Sequence, residues 1–170
     1  MKNLIYVIFS LIILSSCSIK KNKTVIDDRT KKEVLLGSCN RKAFSHSNYI
    51  KWFQEGYNEY EPDKIMITKL QNLEKLNDIK IKVVFGTWCS DSRRELPRFY
   101  KIVDEINFPE SKIQFIGVDT KKSSRNNLLE EIVFKRVPTF IFYIDNKEIG
   151  RIIESTEINL ETDFYNIVIK

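Results

Sequence analysis

A short apolar run leads directly into a tryptophan–cysteine pair and then into a helical pattern. The run covers Ile81 to Phe85, ends at Gly86, and is followed by Cys89 three residues later. A cysteine at a strand-to-helix junction lies at the helix N-terminus, where unpaired backbone N–H groups and the helix dipole favour negative charge. The thiolate is the reactive form of cysteine. The pattern therefore predicts a fold organised around a strand–helix junction with one reactive thiol.

Length and composition limit the number of domains and the kinds of partner that this chain can have. Its 170 residues, 42% apolar and 30% charged, suffice for one globular domain with a proper core and terminal additions. The net charge is +5, and the basic residues are spread along the chain, with the densest group just after the N-terminal apolar segment. No basic and aromatic pattern of the nucleic-acid-binding kind is present, so we expect no nucleic-acid partner.

The first residues have the pattern of a targeting segment. Lys2 precedes an apolar stretch from Leu4 to Leu14, which is too short to span a bilayer comfortably. The following Ser15-Ser16-Cys17 resembles the lipobox of bacterial lipoproteins. This resemblance implies a signal peptide over 1–16, lipidation of Cys17 and a membrane-anchored protein; Ser18 favours the outer membrane, with the folded part facing the periplasm. An ordinary cleaved signal or an uncleaved anchor helix stays open.

The sequence divides the remainder into three parts. Residues 17–33 are expected to be the lipidated cysteine and a polar tether, since their apolar content is too low to fold alone. Residues 34–78 are expected to form a helical extension with helices over 47–60 and 62–76. The first of these helices would be capped by Ser47, and its aromatic stripe would pack on the core. Residues 79–170 are expected to form the main domain.

Strands and helices alternate in that main domain. The apolar runs and breakers predict β-α-β-α-β-β-α. The predicted elements are strand 79–85, helix 90–106 with Pro97 inside it, strand 112–118, helix 126–134, strand 140–144, its hairpin partner 147–154, and helix 160–168.

These motifs together resemble the thioredoxin superfamily. The resemblance rests on Trp88-Cys89 with Ser92 three residues on, on Pro97, on the turn Val137-Pro138-Thr139, and on the element order of residues 79 to 168. It implies a thioredoxin-like α/β fold, with a mixed central sheet and helices on both faces. It further implies thiol–disulfide exchange, with Cys89 as the reactive residue and Trp88 at the rim of the site. Val137, a cis Pro138 and Thr139 would present the substrate chain.

Two departures from the family pattern narrow this expectation. Ser92 stands where the dithiol family has its second cysteine, and Val83 stands where that family often has a buried acid. Ser92 would either donate a hydrogen bond to the thiolate or only support the helix start. A mixed disulfide through Cys89 would persist until another thiol arrives.

The remaining candidate residues are few. Cys39 is either a resolving cysteine that replaces the missing one from a distance, or an unpaired buried residue. With His46 as the only histidine, we expect no metal site, and no cofactor is implied. The expected activity is thiol–disulfide exchange in the bacterial cell envelope, with envelope protein thiols and disulfides as partners. The alternative is a redox-inactive binding or scaffold lipoprotein that keeps the fold.

Overall fold

The computed structural model describes residues 20–170. The expected signal peptide and Cys17 lie outside the described residues. Within residues 20–170, every helix is too short or too polar to cross a bilayer.

Seven strands and four helices make up this part of the chain. The strands are β1 (Thr24–Ile26), β2 (Glu33–Leu35), β3 (Gly37–Cys39), β4 (Lys80–Phe85), β5 (Ile113–Gly117), β6 (Thr139–Ile144) and β7 (Lys147–Ile153). The helices are α1 (Ser47–Glu59), α2 (Lys64–Gln71), α3 (Ser90–Glu105) and α4 (Leu160–Val168), with short 3₁₀ turns over Arg41–Ser45, Glu74–Asp78 and Glu110–Lys112.

Five of the strands form one mixed sheet in the order β3-β5-β4-β6-β7. Only β4 and β5 run parallel; every other pair of neighbours is antiparallel. Because β4 and β5 are parallel, Phe85 and Gly117 end at the same edge of the sheet. The chain segments that follow these two residues are therefore neighbours, and they carry the candidate site.

The two faces of the sheet are covered differently. Consecutive residues such as Val83 and Val84 point to opposite faces, as strand geometry requires. Apolar residues from all four helices join the cluster on the Val83 face. The Val84 face is covered by the segment between β5 and β6, including Leu128, Leu129 and Ile132.

The prediction of a helix over residues 126–134 is wrong. Asn126 and Asn127 both have positive φ, 55° and 56°, and the segment runs as successive turns instead. Two consecutive left-handed residues cannot continue a right-handed helix. The apolar side chains that suggested a helix still pack onto the sheet, so helices cover one face of this sheet and turns cover the other.

The N-terminal predictions also need correction. Within the expected tether, β1 pairs with β2, and Asp27 in their connecting turn is only 3% exposed. Both oxygens of its carboxylate accept hydrogen bonds, from Thr30 and from the N–H and hydroxyl of Thr120. The tether prediction therefore fails from β1 onward, because long-range hydrogen bonds hold a polar segment that has few apolar residues.

The expected helical extension is an integral part of the domain. It contains β3, which pairs with β5 at the edge of the main sheet. Its helix α1 packs closely on α3: a Cβ added to Gly56 would lie 2.7 Å from the Pro97 ring. The cap of α1 is His46 rather than Ser47, and α2, capped by Asp63, ends earlier than predicted, at Gln71.

The predicted fold class is confirmed as a mixed α/β domain with a five-stranded mixed sheet. The helices expected on both faces are found on one face only, because the segment between β5 and β6 forms turns. The predicted strands and helices between 79 and 118, and between 139 and 168, form within two residues of their expected ends. Buried apolar residues run from Val34 to Val168, so residues 20–170 hold a core of their own.

Candidate functional site

The thiol of Cys89 lies at the N-terminal end of α3, as predicted. Cys89 is the residue before the first helical one and has extended backbone angles, with φ −88° and ψ 131°. Its side chain makes no capping hydrogen bond, so the sulfur does not bind a backbone N–H group of the helix. The residue is half-buried and its thiol is free. A partly accessible thiol at a helix N-terminus is in an environment typical of reactive cysteines.

The turn at Val137-Pro138 lies directly beside this thiol. Cys89 Sγ donates a hydrogen bond to the Val137 carbonyl oxygen at 3.2 Å, and the Val137–Pro138 peptide bond is cis. Thr139 is buried at the start of β6, and its hydroxyl donates to the Arg136 carbonyl at 2.6 Å. The structure thus brings Cys89 and Val137 together. The Thr139 hydroxyl instead binds the Arg136 carbonyl within the turn that precedes β6.

Ser92 is fully buried on the first turn of α3. Its hydroxyl oxygen accepts a hydrogen bond from the Gly86 backbone N–H at 3.2 Å. This contact ties the loop after β4 to α3. It matches the structural role that was one of the two predicted for Ser92. Within residues 20–170, no hydrogen bond joins Ser92 to the sulfur of Cys89.

Trp88 packs across the loop that carries the thiol. Its indole N–H donates to the Val118 carbonyl at 2.9 Å, linking the segments that follow β4 and β5. A Cβ on Gly86 would lie 2.5 Å from the indole nitrogen, so only glycine leaves room for this ring. The half-buried ring also contacts the apolar cluster on the Val84 face, and we infer that Trp88 fixes the shape of the site.

Cys39 is far from Cys89. It pairs with Phe115, which in turn pairs with Val83, so Cys39 lies two strands, about 9–10 Å, from β4. Cys39 also belongs to the core cluster on the helix-covered face, whereas Cys89 packs against the other cluster. A disulfide needs Cα atoms within about 7 Å. The geometry therefore argues against the resolving role and matches the alternative of a buried, unpaired thiol.

The environment of Cys39 also makes it unreactive. The side chain is 4% exposed, and burial raises the pKa of the Cys39 thiol to about 12. Backbone hydrogen bonds from Gly117 and Asn22 oppose this rise without reversing it. Very little thiolate forms at neutral pH in such a site.

One feature beside the thiol was not predicted as part of the site. Arg93 lies on the first turn of α3 and was not among the predicted site residues. Its Nε donates to the Thr87 carbonyl at 2.6 Å, which fixes the guanidinium next to Trp88. Together with Lys32, Val34 and Tyr49, these residues line an open groove of about 700 Å³. No sequence signal joins the N-terminal hairpin to this groove, because the contact is long-range.

The arrangement of the possible metal-ligating side chains can be stated for the described region. Between residues 20 and 170, no three His, Cys, Asp or Glu side chains lie close enough together to hold an ion. His46, the only histidine, caps α1 and lies 3.8 Å from a carboxylate oxygen of Glu33.

Comparison with solved structures supports the fold. The chain is similar to a protein of unknown function from Pseudomonas aeruginosa, with a TM-score of 0.51 and 14% identity over 78% of this chain and 90% of that one. It also matches mitochondrial thioredoxin 3 of Saccharomyces cerevisiae in its oxidized form, with 26% identity, a TM-score of 0.33, and coverage of 51% and 76%.

Thioredoxin O2 of Arabidopsis thaliana in its oxidized state matches at 14% identity and a TM-score of 0.34, covering 52% of this chain and 71% of that one. No protein-family model and no curated protein sequence matches the chain. At 14% identity, the likeness to the Pseudomonas aeruginosa protein extends to the fold alone.

Proposed function

We propose that this protein exchanges thiols and disulfides through Cys89 alone. The observation that carries the proposal is the position of the Cys89 sulfur, at the N-terminal end of α3 and 3.2 Å from the Val137 carbonyl. A substrate chain that occupies the same edge would meet the sulfur directly. Trp88 holds the loop in place, and Val137 and Pro138 form the wall against which the substrate lies.

The exchange proceeds in two steps, with the bonds balanced. The Cys89 thiolate attacks one sulfur of a substrate disulfide, forming a mixed disulfide and releasing the other substrate sulfur as a thiolate. A second thiolate, from an outside thiol, then attacks the mixed disulfide. This attack frees Cys89 as a thiolate and leaves the substrate sulfur bonded to the outside thiol.

The need for an outside thiol follows from the surroundings of Cys89. Ser92 cannot attack a disulfide, and its oxygen is occupied by the Gly86 N–H. Cys39 is buried on the opposite face of the sheet. Val83 is fully buried and cannot carry a proton, so protons must come from solvent or substrate. The mixed disulfide should therefore be long-lived, which makes it suitable for trapping.

The experiment traps mixed disulfides between this protein and its substrates in the bacterial envelope. The protein is expressed with an affinity tag, free thiols are blocked, and adducts are separated without reductant. We expect adducts with wild type and with Cys39→Ala, and none with Cys89→Ala. Equal adduct yields from all three forms would refute the proposal, and substrates follow from the identities of the captured proteins.

A redox-inactive binding protein is the second candidate, and the lack of a second thiol within reach of Cys89 among residues 20–170 favours it. Such a protein would use the same edge without forming covalent bonds. Captured partners that remain bound to Cys89→Ala, and that are released without reductant, would select this alternative over exchange.

We further propose that Cys17 is lipidated and that the domain is attached to the outer membrane, facing the periplasm. Support comes from Lys2, the apolar stretch after it and the lipobox-like end of that stretch. Metabolic labelling with a fatty acid should mark the wild type and leave Cys17→Ser unlabelled. Label in both forms would contradict the proposal.

A further inference from the structure

Hydrogen bonds and an ion pair attach the N-terminal hairpin, β1 and β2, to the loop that follows β5. Asp27 accepts two hydrogen bonds from Thr120, each 2.9 Å long, and Asp28 pairs with Lys121 at 2.7 Å. The amide of Asn22 exchanges hydrogen bonds with Asn40 at 2.7 and 2.9 Å, and the Asn22 N–H donates to the Ser38 carbonyl. The chain is therefore held by the domain from Asn22 onward.

This attachment leaves a very short link to the proposed lipid. Five residue steps separate Cys17 from Asn22, and a fully extended chain spans at most about 3.3–3.6 Å per residue. Cys17 thus lies within about 18 Å of Asn22. A lipid at Cys17 would hold the hairpin close to the membrane, whereas the predicted sixteen-residue tether would have let the domain move away.

Positive charge is concentrated at the same place. Residues 20–32 contain six Lys or Arg residues and two Asp residues. Residues 119–125 contain three Lys or Arg residues and one Asp residue. Their net charge of +6 exceeds the +5 of the whole chain, so the remaining residues sum to −1. We call the Lys and Arg side chains of these two segments the basic end.

The acidic groups of the basic end do not cancel its charge. Asp27 is enclosed by hydrogen bonds, and Asp28 neutralises only Lys121. The Asp119 carboxylate accepts a hydrogen bond from the Ser123 N–H at 2.8 Å. Glu33, which follows the hairpin turn, contacts His46 and Asn48. Most Lys and Arg side chains of the two segments are exposed and have no carboxylate partner among the described residues.

We propose that the basic end binds an anionic lipid surface directly. The membrane is favoured over an acidic protein because the basic end begins within a few residues of the proposed lipid site, so a bilayer is always within reach. The orientation part of this inference rests on the proposed lipidation; the affinity for anionic lipid does not. Each Lys or Arg near such a surface contributes about 1 kcal/mol, roughly a fivefold change in affinity.

The test is co-sedimentation of the chain from Ser18 onward, which retains the complete core, with lipid vesicles. We expect binding to an equal mixture of phosphatidylglycerol and phosphatidylcholine, and not to phosphatidylcholine alone. Raising the salt from ~0.1 M to ~1 M shortens the Debye length from about 10 Å to about 3 Å and should abolish binding.

A matched pair of triple variants localises the effect. Lys21→Gln, Arg29→Gln and Lys122→Gln together should weaken binding on the order of 100-fold. The control removes three exposed charges around the opposite end of β4, Lys75→Gln, Lys80→Gln and Lys147→Gln, and should change binding less than about threefold.

Equal losses in the two triple variants, or tighter binding to polyglutamate than to the anionic vesicles, would overturn the proposal. Both variants should keep the wild-type rate of alkylation at Cys89. Failure of the thiol chemistry would therefore show separately from failure of the membrane contact.

Discussion

The two thiols of the described chain have opposite environments. Cys89 is half-buried beside Val137, whereas Cys39 is 4% exposed and its pKa is raised to about 12 by burial. We expect iodoacetamide at pH 8 to add one group to the native chain from Ser18, at Cys89. Intact mass should show a second addition only in denaturant. Two additions at equal rates in native protein would contradict this assignment, and Cys39→Ala provides the control.

Ser92 allows a test of what the missing second cysteine would do. Residues three apart on a helix are neighbours, so Ser92→Cys places a thiol next to Cys89. We expect this variant to form an internal disulfide and to release trapped partners faster than wild type. Gel separation of adducts over time after blocking external thiols measures the release. Unchanged adduct lifetimes would mean that position 92 cannot reach the mixed disulfide.

The same residue has a structural role that can be measured separately. Ser92→Ala leaves the Gly86 N–H without a partner in a buried place, which costs about 1–3 kcal/mol of the free energy of unfolding. Urea denaturation measures this change. Ser90→Ala, at an exposed position of the same helix turn, should cost less than about 0.5 kcal/mol.

At the level of single residues, the sequence was a good guide to the thiol and a poor one to its neighbours. The position of Cys89 depends on local signals, the end of an apolar run and the start of a helix, and it was predicted. The hydrogen bond of Ser92 to Gly86 depends on how the loop turns back on the helix. The placement of Arg93 depends on a carbonyl that only the folded loop presents.

Among the secondary-structure elements, the N-terminal hairpin depends most on one ionised group. Burial raises the pKa of Asp27, but hydrogen bonds from Thr120 and Thr30 outweigh it and hold the pKa well below its usual value of about 3.9. A group with a lowered folded pKa stabilises the fold above its unfolded pKa, and this contribution is lost as the pH falls further. Stability should therefore decline below about pH 4.

Asp27→Asn tests this dependence. We expect a loss of about 1–2 kcal/mol in the free energy of unfolding at pH 7, and a weaker decline between ~pH 4 and ~pH 2, measured by urea denaturation. Asp28→Asn is the control, because its ion pair with Lys121 is exposed and such pairs contribute little. The same acid-side slope in Asp27→Asn and wild type would assign the decline to other carboxylates.

The elements themselves were predicted where periodicity and burial agree. The strands β4 and β5 and the helix α3 are apolar or amphipathic along their length, and their limits were close to those observed. The segment 126–134 has helical spacing of Leu128, Leu129 and Ile132, yet Asn126 and Asn127 adopt left-handed backbone angles. Spacing alone cannot reveal this, since turns packed on a sheet can bury the same side chains.

For the molecule as a whole, the proposed lipid at Cys17 would limit how far the Cys89 thiol can move from a membrane, because only a short link joins Cys17 to Asn22. Insertion of ten Gly and Ser residues after Ser18 lengthens this link by up to about 35 Å. In vesicles carrying the lipidated protein, we expect the insertion to speed labelling of Cys89 by a bulky maleimide several-fold. Labelling by small iodoacetamide should not change. Equal maleimide rates would mean that the membrane does not restrict the site.

The burial of Cys39 has a practical consequence for anyone handling this protein. Because Cys39 lies in the edge strand β3 and packs in the core cluster, its sulfur becomes accessible only when this part of the core opens. In a Cys89→Ala chain, the rate of reaction between Cys39 and a thiol reagent then measures how often the structure around Cys39 opens. Slow uptake would report on local unfolding under native conditions, with Cys39 itself as the reporter residue.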